Sequence, residues 1–237
     1  MSELLPFKNI HDGETVLLLG TGSTLNKFKD NFGSNVKRCA VNGVIIHPEY
    51  RENLDYFIWA GDIDIPEHPQ PGYNNILQAS SLLGTRTQKF VNCWTDGCIL
   101  HPDCNIQTQV HPDDAKKLGF IRYNQVHHKI DPNNYFHKDL EYKQNGPDGM
   151  SVAFHAMQIL LFMGFEKIIL VGFDCGGDHS YKNIVHNDKC DWGYNINKQL
   201  VDRWIIFSEF INKKYTNKNI YAINPIGLKG VFPELKI

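Results

Sequence analysis

The stretch Glu14-Thr-Val-Leu-Leu-Leu-Gly20-Thr-Gly22-Ser23-Thr24-Leu25 decides the fold. A short, continuous apolar run that stops at glycine reads as a strand buried on both faces of a parallel sheet. The glycines behind it let the backbone come close to a ligand. The start of the next element offers unpaired N–H groups and a positive dipole end, which suit a phosphate. Gly20, Gly22, Ser23 and Thr24 are therefore the first candidate site, a turn for a nucleotide's phosphates. No Gly-Lys-Ser/Thr follows, so the turn is not a Walker A loop. Leu25 stands where a dinucleotide fingerprint has its third glycine, and the acidic ribose ligand expected about twenty residues on is replaced by Asn42, which argues against NAD.

Working outward, further runs fit the same sheet: Val36 to Val41, Leu54 to Ala60, Lys89 to Cys93, Lys167 to Gly172 and Asn219 to Ile223. Thr24 to Phe32 is long enough for a short crossover helix. Ala153, Ala156, Met157, Leu160 and Leu161 recur at helical spacing behind Asp148 or Ser151, and Gly164 closes that helix. Ile196, Leu200, Trp204, Phe207 and Ile211 trace the stripe of a second, longer helix. Alternating strands and helices with short connections predict right-handed βαβ units. The expected class is α/β, a Rossmann-like, doubly wound, mostly parallel sheet in one domain over residues 1–237. From 64 to 145 the pattern loosens and prolines punctuate it. We read that segment as an irregular insertion, a lid on the acceptor side.

Composition bounds the function. The chain has 237 residues, 42% hydrophobic and 21% charged, with a formal charge of −2, so there is no basic surplus for nucleic acid. The apolar stretch near Ile159 to Phe173 is broken by Gly164, Glu166 and Lys167, which predicts no membrane span. Met1 to Asp12 lacks the apolar core of a signal peptide, and the six cysteines form no CxxC pair. Reduced thiols and a cytoplasmic protein are the expectation.

Several other residues carry chemistry. Asn42-Gly43, at the end of the second strand, can hydrogen-bond a phosphate or base without charge. Asp62-Ile-Asp64 sits just past the third strand. Two carboxylates so spaced can hold a divalent ion such as magnesium that bridges to a diphosphate, and Asp62 alone can contact a ribose or base. Asp148-Gly149-Met-Ser151 opens the central helix and suits a second anion or ribose contact, or plain capping. Asp174 follows a strand at its carboxyl end, where open α/β sheets place ligands, and should face the glycine turn. His179, His186 and Tyr194 in the following loop are candidates for acid–base work. Cys175, His179, His186 and Cys190 match no zinc finger or ribbon spacing.

Four pieces in order, Leu17 to Leu25, Ala40-Val-Asn42-Gly, Gly149 to Asp174 and Ile220-Tyr-Ala-Ile-Asn-Pro225, resemble the superfamily that joins family 42 bacterial sialyltransferases with the DUF115 proteins. The latter include motility-associated glycosyltransferases and archaeal 6-hydroxymethylpterin diphosphokinases. The resemblance covers about half of the chain. It implies a glycosyltransferase that moves a sugar from a nucleotide-activated donor to a hydroxyl on a glycan or small alcohol. The glycine turn and Asn42 would hold phosphate and ribose, and Gly149, Ser151 and Asp174 would line the same cleft. A histidine would deprotonate the acceptor, His186 in first place and His179 in second. A sialyltransferase-like enzyme would need no cofactor. Asp62-Ile-Asp64, however, stands where those metal-independent enzymes carry a neutral asparagine. The rival readings are a magnesium-dependent diphosphokinase and a non-catalytic nucleotide-binding module.

Overall fold

The computed structural model describes residues 3–61, 73–92, 110, 112–123, 125–126, 145–147, 151–175, 194–215 and 217–237. Strands β1 (Thr15–Leu19), β2 (Lys37–Val41), β3 (Tyr56–Trp59), β4 (Gln88–Asn92), β5 (Phe120–Tyr123), β8 (Lys167–Val171) and β9 (Asn219–Ile223) form one sheet. Its order is β5-β4-β3-β2-β1-β8-β9, and every neighbouring pair is parallel. Two short strands, β6 (Gln125–Val126) and β7 (Asn145–Pro147), pair separately, and a single helical turn, α1 (Pro48–Arg51), lies between β2 and β3. The protein is thus an α/β fold with a seven-stranded, all-parallel sheet. From β1 the chain winds one way through β2 to β5, then returns to the other side for β8 and β9. The order reverses between β1 and β8.

Alternation divides the core into two faces. Val16 and Leu18 of β1, with Cys39, Ile58, Phe90, Ile168 and Leu170, pack beneath α4 (Val152–Phe162) and α5 (Tyr194–Lys214). Leu17 and Leu19, with Ala40, Phe57, Trp59, Val91 and Ile169, face α2 (Tyr73–Ser81) and α3 (Pro112–Lys117) on the other side. All eleven residues of α4 are buried, which its apolar sequence Val-Ala-Phe-His-Ala-Met-Gln-Ile-Leu-Leu-Phe anticipates. Ser151 caps its start by accepting from the Ala153 amide at 3.3 Å. Its end closes with the Gly164 amide on Leu161 O (3.1 Å) and the Phe165 amide on Leu160 O (3.3 Å), the paired bonds of a Schellman turn. On this α4-side face, at the β4–β5 end, Tyr123 Oη lies 3.3 Å from His155 Nδ1 of α4. There the N-terminal segment lies against the sheet, with Leu4 fully buried and Phe7 edge-on to Phe90 at 5.2 Å.

Both sheet edges are managed. On β9 the C-terminal tail pairs with Ala222, whose amide donates to Pro233 O (3.0 Å) and whose carbonyl accepts from Leu235 N (2.9 Å). On β5 the Glu3 carboxylate takes the Arg122 amide at 2.9 Å. Such covered edges do not invite a further strand.

Two expectations need adjustment. The β1–β2 connection is not an α-helix over Thr24 to Phe32 but a single 3-10 turn, Ser23–Lys27, followed by irregular chain. The segment Asn26-Lys-Phe-Lys-Asp-Asn-Phe32 has too few apolar residues to fasten a helix to the sheet. Arg38 ties it down instead, through Nε to Asp30 (2.5 Å), Nη1 to Val36 O (2.6 Å) and Nη2 to Phe32 O (2.9 Å). A crevice of about 220 Å³ lined by Leu19, Phe28, Arg38, Tyr50 and Leu54 remains beside it. Within 64–145, the structure builds α2, β4, α3, β5 and the short β6 and β7. Much of that segment therefore extends the sheet and its covering, and the rest of the expected lid lies outside the described residues.

Candidate active site

In an open α/β sheet, ligands bind beyond the carboxyl ends of the strands where the order reverses, here between β1 and β8. The glycine turn and Asp174 meet at this point. Asp174 is 4% exposed. Its Oδ2 accepts from the Thr24 amide at 2.8 Å and from Ser23 Oγ at 3.2 Å, and its Oδ1 accepts from Thr24 Oγ1. A carboxylate has about four acceptor positions, so this one is largely satisfied by the turn alone. Among the described residues no cation forms an ion pair with it. Its three donors are neutral and stand at the start of a 3-10 turn.

The glycines now acquire a structural cause. A Cβ on Gly22 would lie 2.5 Å from Asp174 Oδ2 and 2.7 Å from Gly172 O. Gly172, at φ +73°, leaves room for the Gly20 carbonyl. The amides of Gly20 and Gly22 donate to Val171 O and Gly172 O, both at 2.7 Å. Gly20, Gly22 and Gly172 thus let two strand ends touch backbone to backbone. The amides of Gly20, Gly22 and Thr24 serve protein acceptors, and the Ser23 and Thr24 hydroxyls also donate to Asp174.

Asn42 stands one strand over, at the end of β2, with φ +42°. Its Oδ1 accepts from the Ala60 amide at 3.1 Å, which orients the side-chain NH2 group by elimination. Cys175 (φ +44°) follows Asp174, and Asn224 (φ +47°) follows β9. Three of the four non-glycine residues with positive φ among the described residues therefore sit on carboxyl-end loops. Left-handed backbone at such residues costs of order 1–3 kcal/mol and gathers where function requires it. Burial, then the Asp174 charge, pushes the Cys175 thiol up to about 12, partly offset by a hydrogen bond with Trp204. That thiol is no nucleophile at neutral pH.

Ser151 is a helix cap on α4, and the sequence alone left that role open beside a ligand contact. Asp62, Asp64, Gly149, His179 and His186 lie outside the described residues, and Tyr194 opens α5 without a described side chain. Among the described residues no group of three His, Cys, Asp or Glu side chains could hold a metal ion, and no helix is long and apolar enough to cross a membrane. Sequence reasoning missed Gly172. Its signal was a strand ending Val171-Gly172 in the same manner as Leu19-Gly20.

No protein-family model matches the chain, and no curated protein matches it. Solved structures similar to it are bacterial sialyltransferases. CstII from Campylobacter jejuni in complex with cytidine-5'-monophosphate has 13% sequence identity, covers 94% of this chain and 85% of that one, and gives a TM-score of 0.49. CstII in complex with a trisaccharide acceptor and CMP has 12% identity, 94% and 86% coverage and a TM-score of 0.46. The monofunctional α-2,3-sialyltransferase Cst-I from the same organism has 13% identity, 89% and 75% coverage and a TM-score of 0.48. The resemblance to DUF115 proteins rests on the sequence motifs alone.

Proposed function

We propose that this protein is a glycosyltransferase that moves a sugar from a nucleotide-activated donor to an acceptor hydroxyl. The observation that carries the reading is the junction of the Gly20–Thr24 turn with Asp174 at the point where strand order reverses. Its chemistry distributes the nucleotide. A phosphate 5 Å from the Asp174 carboxylate would meet about 3 kcal/mol of repulsion per unit charge at an effective dielectric of 20. The turn therefore suits the ribose, through Ser23, Thr24 and Asp174, whereas the neutral NH2 group of Asn42 suits the leaving phosphate. Gly149 and Ser151 line the facing wall in this reading. His186, with His179 as second choice, removes the acceptor proton, a contribution of about a hundred- to ten-thousand-fold in rate. The acceptor is a glycan or a small alcohol, and reduced thiols with a nucleotide-sugar donor suit the cytoplasm.

The second reading, diphosphate transfer to a small alcohol, needs magnesium. Asp174 is committed to three donors, so Asp62 and Asp64 would have to hold the ion. A thermal-shift panel of CMP, UDP, GDP and ADP with their sugar conjugates, with and without magnesium, tests both. Ligand at a hundred times its dissociation constant adds about 2.7 kcal/mol of stability. Turnover that survives EDTA sinks the diphosphokinase, and a panel without any shift sinks nucleotide binding altogether.

A further inference from the structure

The loop after β9 is built with more constraint than a connection to a C-terminal tail requires. It begins at Asn224 with φ +47°, passes Pro225 and Ile226, and returns at Gly227. The Gly227 amide donates to the Asp174 carbonyl at 2.6 Å. A Cβ on Gly227 would lie 2.7 Å from the carbonyl oxygens of both Asp174 and Cys175, so only glycine lets the loop come this close. Ile223 and Leu228 are buried on either side, and Ala222 is pinned to the tail. Between these anchors Ile226 is 51% exposed. The other large exposed hydrophobics among the described residues stand on the N-terminal segment, after α2, on α5 or at the C-terminus. Ile226 alone of this set stands beside the carboxyl ends of the strands.

Asp174 therefore joins three segments: its side chain holds the turn after β1, and its main chain holds the loop after β9. The order β2-β1-β8-β9 gives a direction. With the phosphate at Asn42 on β2 and the ribose at the β1/β8 junction, the remaining part of a nucleotide extends towards β9. The span is three strand spacings, about 14 Å. We infer that the Asn224–Gly227 loop is the far wall of the cleft and that Ile226 is the apolar platform for the donor's nucleobase. This rests on the nucleotide-donor reading above. A half-exposed aliphatic side chain on a fixed loop loses little entropy on contact and gains by covering one face of a heterocycle.

The test uses the full chain and titrates the nucleotide that gives the largest shift in the panel. Ile226→Ser should leave the melting temperature of the free protein in place, because the side chain is half exposed, and weaken nucleotide binding about fivefold to tenfold. Ile226→Leu, which keeps the apolar surface, should retain most of the affinity. Ile206→Ser on α5, 46% exposed, serves as the control and should bind as the wild type does. Inorganic pyrophosphate, which lacks a base, should bind all four proteins alike. Wild-type affinity in Ile226→Ser overturns the inference while leaving nucleotide binding intact. Equal losses in Ile226→Ser and Ile206→Ser overturn it as well. If the wild type binds no nucleotide, the donor reading itself falls.

Discussion

Replacing Asp174 with alanine removes the acceptor for the Thr24 amide, Thr24 Oγ1 and Ser23 Oγ at one stroke. Thr24 is 8% exposed, so water cannot readily take over. Hydrogen bonds to a charged group contribute about 1.5–3 kcal/mol each, and an orphaned buried donor costs about 1–3 kcal/mol. Part of this is offset because an ionised group no longer has to be desolvated. The net expectation is a loss of about 4 kcal/mol. At about 2–4 °C per kcal/mol for a chain of this size, the melting temperature falls by about 8–16 °C. Urea titration should move the midpoint without changing the slope, because the surface exposed on unfolding is the same. Asp174→Asn keeps one acceptor oxygen and should lose only about 1–2 kcal/mol. A double-mutant cycle with Thr24→Val then isolates the pair, with an expected coupling of about 1–2 kcal/mol. If Asp174→Ala unfolds within about 1 kcal/mol of the wild type, the carboxylate does not hold the turn. The assignment of the Thr24 amide and the two hydroxyls to this carboxylate then has to be abandoned.

Gly22→Ala sets a methyl group 2.5 Å from the Asp174 carboxylate and 2.7 Å from a backbone oxygen. It should cost about 1–3 kcal/mol in the same urea titration, and unchanged stability would refute the close approach. Cys39 and Cys175 should resist thiol reagents at pH 8 until the protein unfolds, as read by peptide mass spectrometry. Burial raises both thiols, Cys175 to about 12, which leaves a thiolate fraction of about 10⁻⁴. Burial alone would raise the Glu3 carboxyl, but hydrogen bonds and charge from Arg122 outweigh it and hold it below the ordinary 4.5. A carboxyl lowered in this way stabilises above its unfolded value and stops doing so as the pH falls through its folded one. Amide exchange of residues 3–11 should therefore quicken in Glu3→Gln at pH 7, and in the wild type only well below pH 4.5.

Much of the fold could be read along the chain because buried parallel strands are continuous apolar runs. Five of the six strands read from sequence begin or end within two residues of the observed strands, and the sixth, Asn219–Ile223, coincides with β9. β5, Phe-Ile-Arg-Tyr, was not legible. It is short, sits at an edge and carries Arg122, so its sequence has no unbroken apolar run. The crossover helix failed for the opposite reason. Its length allowed a helix, but Phe28 and Phe32 are the only apolar residues in Asn26 to Phe32, and an arginine tie took its place.

The sequence by itself determined that a glycine turn closes the first strand and that an aspartate closes a later one, since strand ends are local features. It could not say what the glycines make room for. Only the tertiary structure brought residues 150 positions apart within hydrogen-bonding distance, and so decided that the turn's amides face a carboxylate and a neighbouring backbone. The same holds for Gly227, whose need to be glycine arises from two carbonyl oxygens on another strand's end. A local pattern fixes which elements form. Which atoms fill the space at their ends depends on the order in which the sheet assembles them.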